Sequence, residues 1–293
     1  MKALVIGASG LVGTHLMQAG RQRGWQMTGT FVGSPRADLI LLDMGDATAI
    51  QKVVGSERPD VLFLAAFNPN VDECERKPQE TRKTNVEGNT NVIAAANTAD
   101  IPVIYYSSDY VFDGLNGPYR ETDMPNPLNE YGRQKLAVEQ LLAKESPRSV
   151  VIRTTVVYGQ EELGKNFLYQ VLRALREGTD LSVPTDQIST PTFAPDLAEA
   201  SLDLAEKKVT GIFHVAGPDI LSRFAFAEAI ADAFGLPKNH LKPITTAALM
   251  QAAKRPLKAG LVCEKIRQTL SAWKRHSIAD NLHTLRNSRG CWH

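Results

Sequence analysis

Residues 2–13 read KALVIGASGLVG, and this stretch decides the fold class. Lys2 to Ile6 is a short apolar run that stops at Gly7. From Leu11 onward, Leu11, Val12, Leu16 and Ala19 recur with helical spacing. Between strand and helix lies a G-x-x-G-x-x-G turn built on Gly7, Gly10 and Gly13. The first glycine permits the tight turn. The second lets the backbone approach a pyrophosphate, and the third lets the helix pack closely on the sheet. The helix start offers unpaired N–H groups and a partial positive charge to phosphates. The candidate contacts are Gly7, Ser9, Gly10, Leu11, Val12 and Gly13. A turn that merely needs glycines is the plainer alternative.

Working outward, residues 26–32 and 39–42 read as a second and third strand, and 47–54 as a helix. Residues 60–65 (DVLFLA) show no polar alternation, which suits a strand buried on both faces. A long helical pattern over 79–99 turns Val86, Val92, Ile93 and Ala96 inward. Residues 102–107 and 149–154 are further apolar strands, with a helix over 131–143 between them. Alternating strands and helices predict an α/β protein with a Rossmann-type, doubly wound parallel sheet. Beyond residue 160 the spacing predicts a helix over 167–177, a loop over 184–193, a helix over 196–207 and a strand over 211–216. A last helix over 223–234 is capped by Ser222 and stopped by Gly235. Residues 1–160 are therefore expected to form an NAD(P)-binding domain, with segments returning near 190–217. Residues 161–293 are expected to form mainly a smaller α/β substrate lobe, with a frayed, solvated basic tail over 271–293. Ligands in such folds meet the carboxyl ends of the strands, in the cleft between lobes.

Composition acts by exclusion. The 293 residues carry 33 Lys+Arg against 32 Asp+Glu, a net charge of +1, which argues against a nucleic-acid binder. There is no run of eighteen apolar residues, so no membrane span is expected. The three cysteines, Cys74, Cys263 and Cys291, are odd in number and far apart, so a reducing cytosol is the expected compartment. The start enters a glycine turn and reads as a strand, not a signal peptide. The six histidines show no H-E-x-x-H spacing, so no metal site is expected, the tail's His276, His283, Cys291 and His293 included.

The choice of dinucleotide rests on the end of the second strand, which reads Thr30-Phe-Val-Gly-Ser34-Pro-Arg36. No carboxylate stands there to take a ribose 2′-hydroxyl, and Ser34 and Arg36 suit a 2′-phosphate. That favours NADP (NADPH), with NAD kept open. Arg36 as a solvated surface residue is the alternative. Asp43, after LILL, is placed to touch an adenine or to serve as a loop residue.

Ser107-Ser108-Asp109 ends one strand, and Tyr131-Gly-Arg-Gln-Lys135 opens the following helix. Tyr131 and Lys135 share a helical face. A charged Lys135 is expected to lower the Tyr131 phenol from its reference of about 10. Such a phenol gives or takes a proton near neutral pH, and Ser108 fixes the same carbonyl oxygen beside a nicotinamide. Asn85 lies among apolar neighbours, where it either holds Lys135 through water or makes a helix–loop bond.

GASGLVG, the Ala65-Ala66 pair, Asn85 in KTNVEG, SSDYVFDG (107–114) and YGRQK resemble the extended short-chain dehydrogenase/reductase family. YRETDMPNPLNEYGRQKLAVE, RTTVVYG (153–159) and DQISTPTFAPDLA (186–198) look like its dTDP-4-dehydrorhamnose reductase branch, and the likeness runs to about residue 270. The resemblance implies NADPH-dependent reduction of the 4-keto group of a nucleotide-linked deoxysugar. Its catalytic residues fall on Ser108, where the branch often has Thr, Tyr131 and Lys135. Ala65, Ala66, Asn85, Tyr131 and Lys135 are implied cofactor contacts, and Asp109, Tyr110 and Gln187 implied substrate contacts. A homodimer is usual in the family. An epimerase or dehydratase is a further option, although no Glu follows Asp109.

One stretch departs from the branch pattern R-P-x-x-S/T-x-L-D/N. Here Arg255-Pro-Leu-Lys-Ala-Gly-Leu-Val-Cys263 lacks the hydroxyl at Ala259 and the carboxylate or amide at Val262. Arg255 remains and suits a diphosphate. In this respect the chain is similar to the regulatory β subunit of methionine adenosyltransferase, a homologue that binds NADP and modulates a partner enzyme. The alternative function is thus a non-catalytic regulatory subunit.

Overall fold

Strands that lack polar alternation need cover on both faces, and the chain supplies it from helices that follow each strand. The computed structural model describes residues 1–33 and 36–288. The first half runs β1 (Lys2–Ile6), α1 (Leu11–Gln22), β2 (Gln26–Phe31), β3 (Ile40–Leu41), α2 (Ala47–Glu57) and β4 (Val61–Leu64). Then come α3 (Val71–Arg76), α4 (Pro78–Arg82), a π-helical turn (Lys83–Gly88), α5 (Asn89–Thr98), β5 (Val103–Ser108), α6 (Glu130–Glu145) and β6 (Val150–Thr154). The second half holds β7 (Val157–Tyr158), α7 (Phe167–Glu177), β8 (Leu181–Pro184), β9 (Ile188–Ser189), β10 (Thr192–Phe193) and α8 (Ala194–Glu206). It ends with β11 (Gly211–His214), β12 (Leu221–Ser222), α9 (Arg223–Phe234), β13 (Leu241–Ile244), α10 (Glu264–Thr269) and α11 (Ile278–Asn287).

The central sheet has seven strands in the order β11-β6-β5-β4-β1-β2-β3, all parallel. The order reverses between β1 and β4, which opens the crevice where ligands of such sheets sit. Register brings the strand ends together: Ile6 lies opposite Leu64, and Ser108 opposite Thr154. The Gly7 turn, the Ala65-Ala66 pair and Ser108 therefore emerge on one edge.

Side chains alternate between two buried layers. Ala3, Val5, Phe63, Ile104 and Ile152 meet Leu16 of α1 and Leu197 of α8. Leu4, Ile6, Leu62, Leu64 and Tyr105 meet Ile50 of α2, Ile93 of α5 and Val138 of α6. A third core belongs to the second half: Leu168 and Leu172 of α7, Phe226 and Ile230 of α9, and Leu282 and Leu285 of α11.

Three expectations need correction. The pattern over 79–99 is a helix from Pro78 to Thr98 broken by the π-helical turn, and α3 precedes it. Lys77 leaves helical geometry (φ −131°), and Pro78 restarts the helix where its missing N–H costs nothing. Residues 184–193 are not wholly loop. β9 pairs with β12 and β10 with β7, so the segment is stitched to strands both before and after it in the chain. The tail is not frayed as far as it is described. α11 begins with a capping box at Ser277 and Asp280, and it buries Ile278, Leu282 and Leu285. Asp196 accepts from the backbone N–H of His276 at 3.1 Å, and Asn281 donates to the Tyr158 hydroxyl at 3.2 Å. Its apolar positions are few and were hidden among charges. Cys291 and His293 lie outside the described residues. Among the described residues, no helix is long and apolar enough to cross a membrane, and no cluster of His, Cys, Asp or Glu suits a metal.

Candidate active site

The glycine turn divides its work among three positions. Gly7 has φ +86°, and a Cβ there would stand 2.8 Å from the Ala66 backbone. A Cβ on Gly13 would lie 2.3 Å from the Gly7 carbonyl oxygen, so the helix can approach only without one. A Cβ on Gly10 would meet nothing closer than that oxygen at 3.5 Å, so its outer side is open. Gly10 caps α1 with no side-chain bond, and the first turn carries no acid. The helix start, including Ser9, Leu11 and Val12, thus keeps its N–H groups and positive end for an incoming anion.

Beside the turn lies a cavity of about 400 Å³, lined by Gly7, Phe31, Val32, Asp43, Ala66 and Lys83 among others. Asp43 lines it while accepting from the Gly45 N–H at 2.8 Å. Ser34 lies outside the described residues. Arg36 is not a lone surface cation. It is partly covered and paired with Glu162, which ties the end of β2 to the second half. Lys83 brings a cation to this cavity. Nothing in its helical setting marked it.

The catalytic candidates meet at the end of β5. Asn129 caps α6 by accepting from the Gly132 N–H at 2.9 Å. A Cβ on Gly132 would stand 2.1 Å from the Tyr110 carbonyl oxygen, so α6 docks directly on the turn after Ser108. That docking sets Tyr131 beside Ser108 and Tyr110. The Tyr131 ring is held edge-on by Phe67 and Tyr110, with centroids at 5.4 and 5.6 Å. Ser108 donates to Asp109 at 2.9 Å and accepts from the Tyr110 N–H at 3.2 Å. Asp109 also accepts from Thr155 at 2.7 Å. Lys135 donates to the Tyr106 carbonyl oxygen at 2.6 Å and lies 3.6 Å from the Phe67 ring centre.

Burial governs the protonation of this group. It pushes Lys135 down to about 7, against the pull of Glu139. It pushes the Tyr131 phenol up, helped by the charge of Asp109 and opposed by the Ser108 hydroxyl. The expectation that a charged Lys135 lowers the phenol is thus corrected. Dehydration outweighs the lysine, which is itself reluctant to stay charged. Burial also raises Asp109 to about 6, against hydrogen bonds from Thr155 and Ser108 and the charge of Arg223.

The remaining expected residues fall into two groups. Asn85 makes the helix–loop bond. Its Oδ1 accepts from the Asn68 N–H at 2.7 Å, and its amide donates to Gln134 at 2.8 Å. It backs the site through Gln134, the neighbour of Lys135, and its own amide is occupied. The Ala65 N–H donates to the Ile6 carbonyl at 3.0 Å, which fixes the pair beside the glycine turn. The Gln187 carbonyl oxygen accepts from the Arg223 N–H at 2.9 Å. The Arg255 charge acts on Tyr110, yet both its terminal nitrogens bind Asp72 at 3.0 Å, and one also binds the Ala253 carbonyl at 2.8 Å. The reading of residue types missed Arg223, Thr155, Phe67 and Asp72. Three stand alone in their segments, and Arg223 looked like an ordinary first residue of a helix.

The stretch 255–263 is woven into its surroundings by its main chain. Ala259 donates to Ile188, Val262 to Tyr119, and Tyr119 to Gly260, at 2.7 to 3.0 Å. Ala259 and Cys263 are buried.

Residues 1–286 match the family described as the RmlD substrate binding domain. The chain is 33% identical to methionine adenosyltransferase 2 subunit beta of Bos taurus, over 94% of this chain and 84% of that protein. It is also 33% identical to dTDP-4-dehydrorhamnose reductase of Aggregatibacter actinomycetemcomitans, over 88% and 94%. The crystal structure of dTDP-4-dehydrorhamnose reductase from Bacillus anthracis, in complex with NADP, superposes with a TM-score of 0.88. That pair shares 27% identity and covers 97% of this chain and 98% of the other. With nearly its whole length matched in sequence and in fold, the chain belongs to the RmlD substrate-binding family of extended short-chain dehydrogenases/reductases.

Proposed function

We propose that this protein is an NADPH-dependent reductase of the 4-keto group of a nucleotide-linked deoxysugar. The observation that carries the reading is the grouping of Ser108, Tyr131 and Lys135 at the carboxyl end of β5, one strand from the end of β4. The dinucleotide would lie on the Gly7–Gly13 turn, with Asp43, Ala65 and Ala66 along it. The residues fit such a group, since Gly10 leaves its outer side open and the start of α1 is uncapped. A nicotinamide held there would supply a hydride to the carbonyl carbon. The Tyr131 phenol, which burial keeps protonated, gives its proton to the carbonyl oxygen, so ketone becomes alcohol. Ser108 would turn its hydroxyl from Asp109 to the same oxygen. Lys135 stands behind the ring to support the phenolate left after transfer. Asp109, Tyr110 and Gln187 would border the sugar. The end of β2 carries no carboxylate, which supports NADPH over NADH, and Arg36 would exchange its Glu162 partner for the 2′-phosphate. The reading places the protein in the cytosol, as a monomer or a homodimer.

A second reading is supported by the 33% identity to the methionine adenosyltransferase β subunit and by Ala259 and Val262. It is a dinucleotide-binding subunit that modulates a partner of that kind without turnover. One assay separates the two. Incubation with NADPH and a dTDP-4-keto-6-deoxyhexose is expected to consume NADPH and yield the 4-hydroxy sugar. Tight nucleotide binding without consumption, together with capture of a methionine adenosyltransferase, would replace the first reading with the second.

A further inference from the structure

The charges of two guanidinium groups, Arg223 and Arg255, act on the Tyr110 phenol, and their surroundings differ. Arg255 is satisfied within the protein. Its nitrogens bind both oxygens of Asp72 and the Ala253 carbonyl. Burial is the largest single influence and pushes the Asp72 carboxyl up, but the Arg255 hydrogen bond, the Ala253 N–H and the charges of Arg255 and Arg76 together hold the group below its ordinary value. Any phosphate approaching Arg255 competes with a carboxylate already in bidentate geometry.

Arg223 is the first residue of α9, and its backbone is fixed from both sides. Its N–H donates to the Gln187 carbonyl at 2.9 Å, and Ser222 caps the helix by accepting from Ala225 at 3.0 Å. The guanidinium carbon lies 4.7 Å from the centre of the Phe167 ring, a cation–π contact that orients the fork. Among the described residues, no carboxylate reaches ion-pair distance of it. The Asp109 charge acts on it, but both oxygens of that carboxylate already accept, from Ser108 and Thr155. Burial disfavours the Arg223 charge, Tyr110 and Asp109 support it, and Arg255 repels it. A guanidinium stays protonated even so. It is a largely dehydrated cation without its own counter-ion, and it gains from an anion that supplies one.

We infer that Arg223, not Arg255, holds the phosphoryl oxygens of the nucleoside diphosphate carried by the substrate. The inference rests on the reading of the substrate as a nucleotide-linked sugar. It names the residue that replaces the altered 255–263 stretch as the anion contact. The planar fork matches two phosphoryl oxygens at once, and Phe167 gives it the rigidity that such recognition needs.

The test is calorimetric titration of the full chain with thymidine diphosphate and with thymidine. Arg223→Met is expected to weaken thymidine diphosphate binding by about tenfold or more. Its thymidine affinity should stay within about twofold, and NADPH binding should be retained as a check of folding. Arg223→Lys keeps the charge, loses the fork and should fall between the two. Arg255→Met should leave thymidine diphosphate affinity nearer to the wild type than Arg223→Met does. If both Arg223 variants bind thymidine diphosphate like the wild type, the assignment fails while the nucleotide-sugar reading stands. If the wild-type chain binds no thymidine diphosphate, both fall together.

Discussion

Arg153 and Lys135 are both buried cations at the sheet edge, and they are treated in opposite ways. Arg153, on β6, is 2% exposed and meets Glu139 through its Nε and one Nη, at 2.7 to 3.2 Å. Lys135, one helical turn before Glu139, has a carbonyl oxygen and an aromatic face but, among the described residues, no acid on its nitrogen. The same contrast recurs in the second half, between Arg255 on Asp72 and Arg223 on Phe167. Paired cations hold the fold together. Cations left without an acid stand where chemistry or a ligand is expected, because an unanswered buried charge costs stability and such costs cluster at functional sites. The Glu139–Arg153 pair also anchors Ser107, the neighbour of Ser108, so the structural pair supports the reactive one.

The comparison can be broken in four places, the largest effect first. Tyr131→Phe keeps the ring and its two edge contacts but removes the proton donor. It should lower kcat by about a hundredfold or more while NADPH binding persists. Turnover within a few-fold of the wild type would remove Tyr131 from the mechanism. Arg153→Met leaves Glu139 as an unanswered buried charge. Urea unfolding should then show a loss of about 3–5 kcal/mol. Adding Glu139→Leu should restore part of it, which tests whether the cost lies in the orphaned charge.

Lys135→Met should do the reverse, abolishing turnover while raising stability. The Lys135 amine falls from its ordinary value to about 7 on folding. Between about 7 and about 10.4 the unfolded chain therefore binds more protons, and wild-type stability rises with pH. The advantage of Lys135→Met should be largest at and below pH 7 and fade above about 10. Thermal unfolding across that range reads it directly, and a gap independent of pH would show that Lys135 is not dehydrated. Asp72→Asn is the smallest change. It loosens a partly covered pair and should cost about 1 kcal/mol, with Arg255 set free. A larger loss would mean that this clasp holds the two halves together.

Much of the dinucleotide half was legible because its signals are local. Residues 2–13 carry strand, turn and helix in unbroken order, and Gly7 and Gly13 behave as a strand-to-helix turn demands. The long helix was only partly legible. Apolar spacing shows a helix, but it does not show the π-helical turn that carries Asn85 toward Asn68 and Gln134. The short strands β9 and β10 were not legible, because two residues carry no period and their partners lie far along the chain.

The sequence by itself determined the winding of the sheet, the place of the glycine turn and the candidate trio Ser108, Tyr131 and Lys135. Those features depend on neighbours a few residues apart, whose spacing fixes which face they share. Only the tertiary structure decided which charges are answered. Asp72 meets Arg255, and Glu139 meets Arg153, while Lys135 and Arg223 find no acid at ion-pair distance among the described residues. Pairing and dehydration depend on what distant segments bring within a few ångströms, and no spacing along the chain records that distance.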